Sequence, residues 1–417
     1  MTDEKTIYVY MDGQKPDYIG KLYVEMLRGD EIFSFEYSED WLKTGAACSA
    51  LDPELYLYTG RQYSSQNKTM FGVFTDSCPD RWGRKLLNRR ENLRAKAEGR
   101  KAKTLFENDY LLGVCDTTRM GALRYKTEKN DPFLAEENIL DVPPIVKLRE
   151  LQQASLALEL ADSADEEKWL KMLIMPGSSL GGARPKANVI DPDGNLWIAK
   201  FPSKNDDRNV GAWEKTAYDL AKMCGLNTAE CKLDDFSDGS KHTDGSTFLV
   251  KRFDRNGNTR IHFASAMTML GKTDGDKASY LDLAGFVKSF GGNPQNDLEE
   301  LWRRIVFNMT ISNTDDHLRN HGFIIQNNKW QLSPMYDINP CPDSEYLSLY
   351  IDDSNSEISK DLVISVSEYF GISRNTAEKY FNNLIHTILD NWKTAAKRNG
   401  ISNKQIEEME PAFSRMK

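Results

Sequence analysis

The chain has 417 residues, 40% of them hydrophobic, enough for a packed core and for about two or three domains of ordinary size. Lys and Arg total 54 against 63 Asp and Glu, a net charge of −9, which argues against a free-standing nucleic-acid binder and leaves such contact to a partner or a local patch. No stretch approaches the roughly 18 apolar residues of a membrane helix, and Met1-Thr2-Asp3-Glu4-Lys5 lacks the basic start and apolar run of a secretory signal. The six cysteines (48, 78, 115, 224, 231 and 341) form no C-x-x-C pair. The expectation is a cytoplasmic globular protein with reduced thiols, no zinc site and no membrane contact.

In chain order, residues 1–125 read as a β-rich subdomain. Strand candidates are Thr6–Tyr10, Tyr18–Val24, Ile32–Tyr37 and a closing piece at Arg119–Tyr125, with a basic helical segment from Trp82 to Arg100 between them. Residues 126–165 form a polar connector that turns helical over Leu148–Leu160. Residues 166–255 begin with Lys171–Met175, a short strand or helix end. It runs into Pro176-Gly177-Ser178-Ser179-Leu180-Gly181-Gly182-Ala183-Arg184-Pro185-Lys186, where glycines let backbone N–H groups approach phosphate oxygens and Arg184 and Lys186 add charge. A hairpin follows, Ala187–Ile190 and Leu196–Phe201 around Asp191-Pro192-Asp193-Gly194, with Lys200 near its end. A lysine there is placed to bind phosphates as a point charge.

Val210, Trp213, Ala217, Leu220 and Ala221 recur at helical spacing up to Gly225. Glu214, beside that stripe, reads equally as a solvated charge and as a partner for Lys200. Thr247–Arg255 is an apolar strand running into charge, either a buried strand or, in a two-lobed kinase, the place where a backbone meets the adenine. Residues 256–417 are expected to be helical, with apolar faces at Leu298, Leu301, Trp302, Ile305 and Met309 and, after a Ser373 cap, at Ala377, Tyr380, Phe381, Leu384, Ile385, Ile388, Leu389 and Trp392. His386, within that last stripe, reads as structural.

The chemistry concentrates in Ile311–Phe323. Asp315 is followed five positions later by Asn320, and Asp337 comes 22 residues after Asp315 across a hairpin-length gap. Phosphoryl transfer requires immobilised phosphates, a metal to neutralise developing charge, and a group that orients the attacking hydroxyl. Gly181, Gly182, Lys186 and Lys200 fit the first task, Asn320 and Asp337 the second as oxygen ligands of Mg²⁺, and Asp315 the third. Singly, each of these residues reads as a turn former or a helix cap. Together, and in this order, they read as the parts of a kinase. His317 and His321 lack the glutamate and third ligand of a zinc site; His317 is expected to brace the loop.

The Gly177–Ala187 stretch, Asn313-Thr314-Asp315-Asp316-His317-Leu318-Arg319-Asn320 and Tyr336-Asp337, with Tyr18–Tyr37, Asp80-Arg81-Trp82-Gly83-Arg84 and Arg119–Arg124, resemble the HipA family of bacterial serine/threonine kinases, toxins of toxin–antitoxin pairs. The resemblance implies an α+β, two-lobed protein-kinase-like fold with an N-terminal β-containing subdomain and an all-helical C-terminal lobe. It implies ATP and Mg²⁺ as cofactors, a protein substrate such as an aminoacyl-tRNA synthetase, autophosphorylation at Ser179, and a helix-turn-helix antitoxin through which DNA is met indirectly. It makes Asp315 the catalytic base, Asn320 and Asp337 the metal ligands, Ser179, Gly181, Gly182, Lys186, Lys200 and Glu214 the surroundings of the nucleotide phosphates, and Lys251 and Phe253 the hinge. Lys251 stands where some members carry an acidic residue, and Phe263-Ala264-Ser265 departs from the more polar run of many members. The competing readings are a weakly active interaction protein acting with a DNA-binding antitoxin, and a small-molecule or lipid phosphotransferase.

Overall fold

A computed structural model of the chain describes residues 4–13, 16–43, 51–65, 67–134, 142–160, 166–174, 182–234 and 245–416. Ser179 and Gly181 lie outside the described residues. The chain divides into two units, Met1–Lys204 with Lys251–Thr273, and Asn205–Val250 with Asp274–Lys417.

The first unit is built on a five-stranded sheet. In spatial order its strands are Gln62–Tyr63, Asp30–Tyr37, Asp17–Leu27, Lys5–Met11 and Leu123–Lys126. The three long strands alternate apolar and polar residues, so one face collects Ile7, Val9, Leu22, Val24, Phe33 and Phe35, all buried against Phe71, Phe74 and Leu111. The closing strand starts at Leu123, later than the sequence suggests, because Arg119 is drawn inward. Its guanidinium donates to the carbonyls of Ser77, Leu111 and Val114, which takes its backbone out of the ladder. Arg81–Ala97 is a helix capped by Asp80, whose Oδ1 accepts from Gly83 N at 2.8 Å.

The Lys186–Ile190 and Leu196–Lys200 strands pair in antiparallel register, with Lys186 opposite Lys200. Asp191 shapes the turn by accepting from the backbone N–H groups of Asp193 and Asn195. Beyond it, Arg252 N donates to Leu196 O at 2.9 Å. The buried Arg252 guanidinium then meets Asp254, Asn188 and the carbonyls of Thr118 and Arg119. Gly121, at φ +73°, gives its N–H to Asp254 Oδ2, a backbone geometry that a side-chain-bearing residue adopts only with strain.

The second unit is mostly helical. Helix Val210–Met223 begins at the Asn209 cap and ends at Gly225, as its periodicity suggests. It lies close under Ser246: a Cβ on Gly211 would meet Ser246 O at 2.2 Å, so only glycine permits this approach. Helices Tyr280–Phe290, Pro294–Thr310 and Arg374–Arg398 follow. Leu298, Leu301, Trp302, Ile305 and Met309 are all buried, as are Ala377, Phe381, Leu384, Ile385, Ile388 and Trp392. His386 is exposed and forms part of the outer face of its helix rather than its core. Within this helical unit the Gly322–Gln326 and Lys329–Leu332 strands form a hairpin closed by Asn327-Asn328. Both turn residues have positive φ (51° and 59°), the geometry of a two-residue hairpin turn, which asparagine tolerates.

Candidate active site

The centre of the second unit is the loop that leaves helix Pro294–Thr310. The helix ends at Ile311, where Ser312 turns to φ +52° and its hydroxyl anchors on Ala412 O at 2.7 Å. Asn313 N returns to Asn308 O at 2.8 Å, which fixes the start of the Asp-containing turn.

The two adjacent carboxylates then part. Asp316 is buried, and its Oδ2 accepts from Asn308 Nδ2 at 2.8 Å, from His321 Nε2 at 2.8 Å and from the Tyr280 hydroxyl. Burial alone would raise this carboxyl, but the His321 ring and the Tyr280 hydroxyl outweigh it and hold the group below the usual carboxylate range. Asp315 faces solvent. Its main-chain carbonyl is bound on the inside, accepting from Asn320 Nδ2 at 2.9 Å and from His317 N at 3.0 Å. The turn is thereby closed beneath Asp315 while its carboxylate points outward.

Asn320 is buried with one end of its amide committed to Asp315 O. Its other atom, Oδ1, is buried and accepts no hydrogen bond among the described residues. A buried carbonyl oxygen without a donor is costly unless something else binds there, and a hard cation is such a ligand.

Asp337 is brought to the same loop by the hairpin. Tyr336 OH donates to Arg319 O at 2.7 Å, Asn339 N to Asn313 Oδ1 at 3.3 Å, and Cys341 N to Ser312 O at 3.0 Å, so the segment after the hairpin runs along the Asp-containing turn. Asp337 has φ +56°, an uncommon conformation for a residue with a side chain and one that recurs at functional sites. Glu214 is fully enclosed in helix Val210–Met223, which overturns its reading as a solvated charge. It shares with Asp337 the surroundings of buried Tyr218, whose hydroxyl is pushed far up by burial and then by Glu214 and Asp337, among other neighbouring charges.

Asn320 and Asp337 together offer one amide oxygen and one carboxylate. A magnesium ion held by so few protein ligands completes its shell with water and phosphate oxygens. Among the described residues no group of three or more His, Cys, Asp or Glu is arranged to hold a metal.

In the first unit, Lys186 is not presented outward, as a phosphate-binding residue would be. Its ammonium is buried in an ion pair with Asp80 Oδ2 at 2.6 Å and also donates to Gly182 O at 3.3 Å. Lys200 ends the paired strand, half-buried. Gly182 has φ +68° with open space about its α-carbon. Lys251 ends the Thr247–Lys251 strand, and the Phe253 ring packs on Phe263 at 5.9 Å.

Sequence reading missed Tyr280, Asn308 and His321 as the framework of the loop, and gave the bracing role to His317. The structure gives it to His321, because the turn at Leu318–Asn320 swings His321 back to Asp316. The visible signal was Asn308, a polar residue inside the apolar run Val306-Phe307-Asn308-Met309.

Two curated relatives carry the names of kinases. A "Putative kinase" of Haemophilus influenzae is 26% identical over 241 residues, 51% of this chain and 70% of that one. "Putative kinase Y4dM" of Sinorhizobium fredii is 30% identical over 155 residues, 35% of this chain and 37% of that one. Among solved structures, HipA of the Shewanella oneidensis toxin–antitoxin system, determined with HipB and operator DNA, superposes with a TM-score of 0.68 over 98% of this chain and 96% of that one, at 17% identity. That likeness extends the kinase-like fold over nearly the whole chain. The HipA-like C-terminal domain pattern matches residues 178–392, from the Gly-rich stretch through the Asp-containing loop into the long C-terminal helix, and the chain belongs to that family.

Proposed function

We propose that the chain is an ATP-dependent serine/threonine protein kinase of HipA type, transferring the γ-phosphate to a serine of a protein substrate, possible targets including an aminoacyl-tRNA synthetase, and to its own Ser179. The observation that carries this reading is the pairing of an outward Asp315 carboxylate with the unpartnered, buried Asn320 Oδ1 five residues on. A carboxylate presented to solvent on a turn closed from beneath is suited to accept a proton from an incoming hydroxyl. Asn320 Oδ1 and the Asp337 carboxylate would hold Mg²⁺, which when bound neutralises the charge that develops on the transferring phosphoryl group. Asp316 takes no part in proton transfer; with three donors on one oxygen it fixes the turn. Lys200 is proposed to hold phosphate oxygens, and the backbone near Lys251 and Phe253 to meet the adenine. Phosphate on Ser179 would place negative charge in a stretch meant for ATP phosphates and so oppose ATP binding. The solved Shewanella HipA was determined with HipB and operator DNA, which supports a helix-turn-helix antitoxin as the partner here, with DNA reached through it.

The test is transfer from radiolabelled ATP with Mg²⁺, to the chain itself and into a cell lysate, comparing wild type with Asp315→Asn and Asp337→Asn. Labelling by wild type that both variants lose is the expected result. No labelling by wild type, or equal labelling by the variants, sinks the reading.

A further inference from the structure

We propose that Asp80 is a positioning residue for Lys200, acting through Lys186. The inference rests on the reading of Lys200 as the lysine that holds phosphate, and it concerns a part of the chain well outside the residues matched by the family pattern, 178–392.

Two neighbouring side chains of the N-terminal segment, Asp80 and Trp82, close on one strand residue. Asp80 Oδ2 takes the Lys186 ammonium at 2.6 Å, and Trp82 Nε1 donates to the Lys186 carbonyl at 3.0 Å. Asp80 Oδ1 caps the Arg81–Ala97 helix at Gly83 N, so the clamp is itself anchored to a 17-residue helix. Trp82 is 1% exposed and the Lys186 side chain 1% exposed, so neither contact is a surface accident.

Lys186 stands directly opposite Lys200 in the hairpin register, and Phe201 N donates to Pro185 O at 2.9 Å just beyond that pair. Directly opposed residues of an antiparallel pair project from the same face, with Cβ atoms about 5 Å apart. Two ammonium groups so placed repel each other unless one is neutralised. Asp80 neutralises Lys186 and turns its charge inward. Lys200 therefore sits on a strand whose partner is held in place at the residue directly opposite it.

The experiment uses the full chain with Asp80→Asn and, as a milder variant, Trp82→Phe, which keeps the ring bulk and removes the indole donor. KM for ATP and kcat are measured separately, with thermal melting as the check on folding. Asp80→Asn is expected to raise KM for ATP about tenfold or more with a smaller change in kcat, and Trp82→Phe to raise it about threefold, the scale of charged and neutral hydrogen bonds respectively. Adding Lys186→Met to Asp80→Asn removes the stranded ammonium and should return KM part of the way. Hydrogen–deuterium exchange over Lys186–Lys200 reads the same positioning without ATP and should quicken about tenfold in Asp80→Asn. Folded variants with wild-type KM and wild-type hairpin exchange overturn the inference. A wild-type chain that transfers no phosphate instead overturns the kinase reading, while exchange still decides whether the clamp holds the hairpin.

Discussion

The two units bury charge in different ways, and the difference separates scaffold from site. In the first unit buried charges are closed within the scaffold: Asp80 on Lys186, Asp254 on Arg252 and Arg255, and Arg119 on three carbonyls. In the second unit one buried carboxylate, Asp316, is saturated by three donors, while its neighbours are left open, Asp315 to solvent and Asn320 at its buried Oδ1. A saturated group holds a shape; an unsaturated one within the same few residues is available to a ligand.

The sharpest way to break that comparison is to exchange the fates of the two adjacent aspartates. Asp315→Asn should lower phosphoryl transfer by a factor of about 100 or more, the scale of a lost general base, with a thermal midpoint within about 2 °C of wild type because nothing buried changes. Asp316→Ala should do the reverse to stability. It strands the donors of Tyr280, Asn308 and His321, and urea unfolding should record a loss of about 3 kcal/mol. If Asp316→Ala is as stable as wild type, the division into scaffold and site is wrong.

Acid titration tests the first unit. The Asp254 carboxyl is held down to about 2, against the opposing push of burial, by the charges of Arg252 and Arg255. A carboxylate depressed on folding contributes stability that is present above its unfolded value of about 4 and is lost as pH falls toward 2. The loss attributable to Asp254 should be on the order of 2 kcal/mol across that window. Asp254→Asn should be less stable than wild type at neutral pH but show a flatter decline below pH 4, read by denaturant unfolding at each pH. The smallest expected effect on stability is at Asp337. Asp337→Gly removes the strain of φ +56° at the cost of a more flexible unfolded chain, so stability should stay within about 1 kcal/mol while Mg²⁺-dependent transfer disappears.

Local pattern made much of this legible. The 3.6-residue period of Arg374–Arg398, its Ser373 cap and the hairpin Lys186–Lys200 are short-range signals, and the structure has each of them. The return of the chain after the hairpin to the Asp315–Asn320 turn was legible for the same reason: a turn and a hairpin convert sequence distance into spatial nearness with little freedom. What was not legible depends on remote partners. Nothing near Lys186 in sequence says that Asp80, 106 residues away, takes its charge, so a lysine after glycines reads as a phosphate ligand. The enclosure of Glu214 was hidden for the complementary reason, since helical period marks which side of a helix is apolar but not that a carboxylate on its margin is buried. His317 adjoins Asp316 in sequence while His321 follows it by five residues; only the tight turn at Leu318–Asn320 makes the more distant one its partner.

The hairpin between Asn320 and Asp337 carries one further consequence. Its strands pair residue for residue from Gln326 opposite Lys329 back to Phe323 opposite Leu332, and Ser333 N closes onto Gly322 O. The separation of Asn320 and Asp337 along the chain is therefore a matter of parity rather than of length. Growth by two residues in each strand would lengthen the arm and return both ends unaltered, because side chains repeat their face every second residue. Growth by one in each strand would turn the outer pairs over and expose Trp330 or Ile324, both now buried. Insertions here should thus come in fours, and the Asn327-Asn328 tip is where the chain would accept a graft or a label without disturbing Asn320 or Asp337.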